Sequence, residues 1–170
     1  MDHRILIDSD LTGEVPQEQA ALITQAITSA LQAEGVELPC EVDVLLTDDE
    51  GIREINREMR GLDRPTDVLS FPMFRLAAVD KPAAEWADPE TGLVPLGDMA
   101  ISLERAAAQG EEYGHGLRRE LCYLTVHSVL HLLGYDHVDE GEDKRLMRRR
   151  EEEILARPEL MGQKQEKQGG

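Results

Sequence analysis

The sequence predicts a single α+β domain, about four strands packed with helices, and three observations predict it. Apolar and polar residues alternate in short runs such as RILIDS, residues 4 to 9, which is the period of a half-buried strand. Longer segments between such runs repeat their apolar residues at helical spacing and stop at glycine. No internal repeat or low-complexity linker divides the 170 residues, a length that suits one core.

The elements follow in order. After the first strand, Pro16 opens a helix that carries Leu22, Ile23, Ile27 and Leu31 and stops at Gly35. EVDVLLT, residues 41 to 47, is a second strand. Asp48 and Asp49 are candidate N-caps of a helix bearing Ile52, Ile55 and Met59 and ending near Gly61. A turn at Arg64 and Pro65 leads into a strand closed by Pro72, with Val68, Leu69 and Phe71 read as the core of a central strand. Residues 73 to 95 are an acidic, proline-punctuated connection, a candidate lid. LGDMAISL from Leu96 is the next strand, residues 103 to 112 a short helix, and Leu117 to Leu133 the most apolar helix, broken by Gly134. Residues 140 to 156 form a charged helix with Leu146, Met147, Ile154 and Leu155 as its buried stripe and RRREEE, 148 to 153, as a solvated face. The domain is expected to span residues 1–157, with the polar stretch 158–170 a disordered tail.

Composition narrows the function. The net charge of −17 argues against indiscriminate nucleic-acid binding, and DNA is not an expected partner. It leaves room for a local basic groove, because charges beyond about 8 Å are largely screened at physiological salt. No stretch approaches the roughly 20 apolar residues of a membrane span, and the N-terminus lacks the layout of a signal peptide, so a cytoplasmic location is expected. Cys40 and Cys122 lie far apart in no metal-type pair and read as small buried hydrophobes.

The chemistry is concentrated in HSVLHLLGYDH. His127 and His131 are four residues apart on a helix, so their rings share one face and can serve a single ion. Gly134 allows the chain to reverse, and His137 then supplies a third nitrogen. This spacing is the ligand spacing of the metzincin metalloproteases. Three of the five histidines fall in these eleven residues, while His3 and His115 look incidental. Three neutral ligands describe an open site that keeps a position for water or substrate, with zinc the expected metal and nickel or iron able to use the same nitrogens. Asp136 is the nearest carboxylate, either a turn residue or a partner that orients a ligand. A protease of this spacing needs Glu directly after the first histidine as general base, and here that residue is Ser128.

HSVLHLLGYDH resembles the histidine motif of the YbeY family of bacterial rRNA-maturation endoribonucleases. NREMRGLDRPTDVLSFP, residues 56 to 72, is similar to that family's central signature, and LGDMAIS, residues 96 to 102, to the segment that follows it; with ELCYLTV the match extends over residues 41 to 157. The resemblance implies a zinc-dependent endoribonuclease of single-stranded RNA, with roles in 16S rRNA 3′-end maturation and ribosome quality control and the small ribosomal subunit or its assembly factors as partners. Carried over by position, it makes His127, His131 and His137 the ligands and Arg60 the functionally important arginine. One departure is Ser128, where the family usually has Gly, and its side chain is expected to narrow the site or hydrogen-bond within it.

The residues around Arg60 carry a physical reading of their own. Arg60 ends a helix in a segment that also holds Arg53, Arg57 and Arg64, a candidate phosphate clamp, since guanidinium groups bind phosphate oxygens bidentately. For Arg53 and Arg57 the alternative is a solvated face paired with Glu54 and Glu58. Asp67 and Ser70 either line the cleft or serve the turn and strand. Two rival functions remain: a metzincin-like hydrolase of another substrate, and a non-enzymatic ribosome-assembly factor whose metal only braces the fold.

Overall fold

The computed structural model describes residues 2–11, 14–74, 82–135 and 142–161. Its elements are β1 (Arg4–Ser9), α1 (Gln17–Ala33), β2 (Cys40–Thr47), α2 (Asp49–Arg60), β3 (Val68–Pro72), a 3₁₀ turn at Ala84–Trp86, β4 (Val94–Ser102), α3 (Leu103–Glu112), α4 (Gly116–Leu132) and α5 (Glu142–Leu155). The four strands form one sheet in the order β1-β2-β4-β3. β1, β2 and β4 run parallel, and β3 returns antiparallel along the outside of β4.

Strand alternation assigns the two faces of the sheet. Val42, Val44, Leu46, Met99 and Ile101 enter the main core with the apolar stripes of α1 and α4. Leu69 and Ala100 point the other way and meet Ile52 of α2 in a smaller cluster edged by Leu45, Ile55 and Phe71. The sheet is therefore a partition, with α1 and α4 on one side and α2 on the other. α4 is the densest element, with ten of its seventeen residues buried.

Local chemistry places most boundaries where the sequence puts them. The Asp48 side chain accepts from the Gly51 N–H at 2.8 Å and caps α2, and α2 ends at Gly61 with φ +72°. Gly97 stands where a Cβ would meet the Phe71 carbonyl oxygen at 2.3 Å, so only glycine lets β3 and β4 approach this closely.

Three expectations need correction. TDVLSFP is not a central strand: β3 is the sheet edge, with Leu69 buried but Val68 and Phe71 only half-buried. Among the described residues β3 pairs with β4 alone. The packed chain also runs past residue 157, because a helical turn at 158–161 buries Leu160 against the core while Glu159 accepts from Ser29 at 2.9 Å. The rest of the expected tail lies outside the described residues. The candidate lid is shorter than expected, since β4 already begins at Val94 and Trp86 stacks on Phe74 with ring centroids 4.6 Å apart; residues 75–81 lie outside the described residues.

Candidate metal centre

One turn of α4 separates His127 from His131, and their Nε2 atoms stand 3.1 Å apart. Each ring is held by its other nitrogen. His127 Nδ1–H donates to Glu151 of α5, and His131 Nδ1–H donates to the Tyr135 carbonyl at 2.9 Å. A carboxylate and a carbonyl only accept, so both Nδ1 atoms carry the proton and the two Nε2 atoms face each other.

The end of α4 builds half of this arrangement. Gly134 takes φ +101°, the chain turns off the helix axis, and the Tyr135 N–H donates back to the Leu130 carbonyl at 2.9 Å. The Tyr135 carbonyl thereby comes under the His131 ring. Tyr135 is pinned in turn, its hydroxyl donating at 2.6 Å to Glu34, which Arg150 of α5 also holds at 2.7 Å. Burial pushes the Tyr135 phenol up to about 12, with the Glu34 hydrogen bond acting in the same direction.

These residues fit a metal of the zinc type. Two nitrogens bound at about 2.0–2.1 Å to one tetrahedral ion stand roughly 3.3 Å apart, close to the separation found. Metal-ligating histidines also characteristically donate their second ring N–H to a carboxylate or carbonyl, as both do here. Among the described residues no group of three metal-type side chains converges. The expected third ligand, His137, and the nearby Asp136 lie outside the described residues.

Tyr123 lies one turn before His127 on the same face, with ring centroids 5.8 Å apart. Burial, then the charges of Glu151, Asp67 and Glu120, push its phenol up to about 12 against the opposing pull of Arg148. It is a neutral hydrogen-bonding group at working pH. Asp67 serves the turn, accepting from the Val68 N–H at 2.7 Å, and also reaches this neighbourhood by accepting from Gln109 at 3.2 Å. Gln109 donates to Glu120 as well, at 2.7 Å, and His115 Nε2 meets the other Glu120 oxygen at 2.7 Å. His115 is thus not incidental, because it satisfies a carboxylate that is only 2% exposed. Nor is His3, whose Nδ1 accepts from the Cys40 N–H at 2.9 Å.

The other sequence-derived candidates are distributed differently. Ser128 does not enter the histidine site: it is fully buried, points at the sheet and shares a 2.6 Å hydrogen bond with Ser70. Arg53 pairs with Asp63 and Arg57 with Glu54, each at 2.7 Å, so both belong to the solvated face. Arg60 is exposed at the end of α2, and among the described residues no carboxylate pairs with it. A cavity of about 430 Å³ lined by Leu22, Leu117, Leu121, Leu155 and Leu160 lies at the opposite end of α4. Its nearest named lining residue on α4, Leu121, precedes His127 by six residues, about 9 Å along the helix at 1.5 Å per residue.

Glu151 is the site residue the sequence reading passes over. It stands inside RRREEE, yet it falls four residues after Met147 and three before Ile154, on the buried stripe of α5, and is only 6% exposed. That helical register was the available signal.

Comparison with known proteins identifies a family. Residues 7–159 match the family model described as "Endoribonuclease YbeY". The chain is 53% identical to the Clostridium acetobutylicum protein named "Endoribonuclease YbeY", over 79% of this chain and 84% of that one. It is 45% identical to the protein of the same name from Caldanaerobacter subterraneus subsp. tengcongensis, over 90% and 96%. The solution structure of TM1509 from Thermotoga maritima superposes with a TM-score of 0.62 at 24% identity, covering 96% of this chain and 93% of that one, and shares the fold.

Proposed function

The chain belongs to the YbeY family of endoribonucleases, and from that membership we propose that it cleaves single-stranded RNA at a zinc centre held by His127, His131 and His137. It is an enzyme, a hydrolase of RNA phosphodiester bonds. The observation that supports the metal is the convergence of two Nε2 atoms at 3.1 Å while both Nδ1–H groups are spent on acceptors. His137 enters by its sequence position. A zinc ion bound there supplies Lewis acidity, polarising a phosphoryl oxygen and lowering the pKa of water to about 7.

The chain's own residues do the rest. Glu151 and the Tyr135 carbonyl hold the Nδ1 side of His127 and His131, which turns their Nε2 atoms toward each other. Arg60 offers its guanidinium to a phosphate and neutralises charge that develops on the pentacovalent phosphorus. α2 and α4 lie on opposite faces of the sheet, and the proposed path of the RNA crosses the β3 edge, where both faces can be met. Among the described residues no further strand lies beyond β3 on that route.

The physiological substrate in this proposal is the 3′ end of 16S rRNA, with a role in ribosome quality control and the small subunit or its assembly factors as partners. A chain of net charge −17 suits a basic protein partner better than unselective RNA binding. The proposed location is the cytoplasm; no helix among the described residues is long and apolar enough to cross a membrane.

The test is metal analysis of the purified protein together with cleavage of single-stranded RNA by wild type, His131→Ala and Arg60→Ala. One zinc per chain and loss of cleavage in both variants are expected. Bound metal with intact RNA under every condition would overturn the proposal. Products ending in a cyclic phosphate would assign attack to the ribose 2′-hydroxyl rather than to water.

A further inference from the structure

We infer that Glu151 is the positioning residue of the metal centre and that α5, through it, couples the docking of this helix to metal affinity. The inference rests on the metal reading above and goes beyond it. Glu151 is a buried carboxylate whose contact in the core is His127 Nδ1. Its neighbour Arg150 holds Glu34, which holds the Tyr135 hydroxyl, and the Tyr135 carbonyl holds His131 Nδ1. Adjacent residues of one helix therefore reach both histidines, one directly and one through two intermediaries. Met147 and Ile154 bury α5 on either side of Glu151, which fixes the height of the carboxylate against the His127 ring.

Two consequences follow. Without Glu151 the His127 ring is free to take the other tautomer or to rotate, and Nε2 is no longer held toward His131. Removal of such outer partners typically costs 10–100-fold in metal affinity. Reciprocally, a bound metal that needs His127 in this pose holds α5 in place, since linkage requires the coupling to act in both directions.

The experiment measures affinity for the metal alone, by cobalt(II) titration read from its visible d–d bands and by competition with a chromophoric chelator. Wild type, Glu151→Ala, Glu151→Gln and His131→Ala are compared, with the melting temperature of each metal-free protein as the control for folding. Glu151→Ala is expected to bind 10–100-fold more weakly, with altered bands. Glu151→Gln, which keeps an acceptor for Nδ1–H, is expected to recover most of the affinity. Amide exchange in residues 142–155 is expected to slow on metal addition in wild type and not in Glu151→Ala. Wild-type affinity in Glu151→Ala, or equal loss in the Ala and Gln variants, would overturn the inference while leaving the metal reading intact. Failure of wild type to bind, or full binding by His131→Ala, would instead remove the metal reading itself.

Discussion

Ser128 Oγ and Ser70 Oγ stand 2.6 Å apart, joining the C-terminal half of α4 to the edge strand β3 on the side of the sheet away from α2. The residue that follows the first histidine is therefore a packing residue. Its hydroxyl is fully buried and engaged, and it holds the histidine helix against the strand over which the RNA is proposed to pass. A catalytic carboxylate at this position would have to leave the core to work, which gives a structural reason why the protease reading fails here.

Replacing Ser128 with Gly should destabilise the fold without altering metal content. The loss of one buried hydrogen bond and the introduction of glycine in a helix interior together cost about 1–2 kcal/mol. Thermal unfolding is expected to show a melting temperature lower by a few degrees, with zinc stoichiometry unchanged. A variant that unfolds like wild type would show that the serine pair contributes nothing to docking α4.

Arg60→Ala should separate catalysis from stability. The side chain is exposed and has no ion-pair partner among the described residues, so a stability change within about 0.5 kcal/mol is expected. Single-turnover RNA cleavage is expected to fall about 10²–10³-fold, the usual consequence of deleting one group that stabilises transition-state charge. Arg60→Lys should recover only part, because a point charge replaces a bidentate fork.

Asn56 anchors the turn that follows Arg60. Its side chain is 1% exposed and donates to the Arg64 carbonyl at 2.9 Å, while its Oδ1 is buried with no partner. Asn56→Ala is expected to cost about 1–2 kcal/mol in denaturant unfolding. It should also weaken RNA cleavage through the loosened turn, with zinc binding kept.

The buried phenols make an alkaline limit to stability. Tyr123 and Tyr135 are each raised to about 12 from an ordinary value near 10, so the folded state retains protons that the unfolded chain releases. Their contribution is fully present below about pH 10 and is lost as pH rises through about 12. Spectrophotometric titration at the phenolate band should show a component near 12 that loses about half its amplitude in Tyr123→Phe, the remainder belonging to Tyr135. A Tyr123→Phe titration identical to wild type would contradict this placement of the ring.

Chelation followed by zinc return should be reversible in activity. Removal of the metal is expected to abolish cleavage and lower the melting temperature, because any ligand bound only by the folded state stabilises it. The same treatment of His131→Ala should change neither quantity.

Much of the fold was legible because its elements are locally consistent. The alternation in RILIDS, the Asp48 cap and the glycine stops at Gly35, Gly61 and Gly134 each act within a few residues, so periodicity and capping locate them. The i, i+4 spacing of His127 and His131 is local in the same way, and the helix alone puts both rings on one face.

What the sequence did not disclose depends on contacts between distant segments. An apolar strand reads alike at the centre or the edge of a sheet, and only the pairing order puts β3 outside β4. Ser128 meets Ser70 across 58 positions, His127 meets Glu151 across 24, and Tyr135 meets Glu34 across 101. The sequence by itself determined the helices, the strands and the histidine pair, because these follow from short-range geometry. The tertiary structure decided which carboxylate fixes a histidine and which serine is spent on packing, because burial gives a polar group its partner only once the chain has closed.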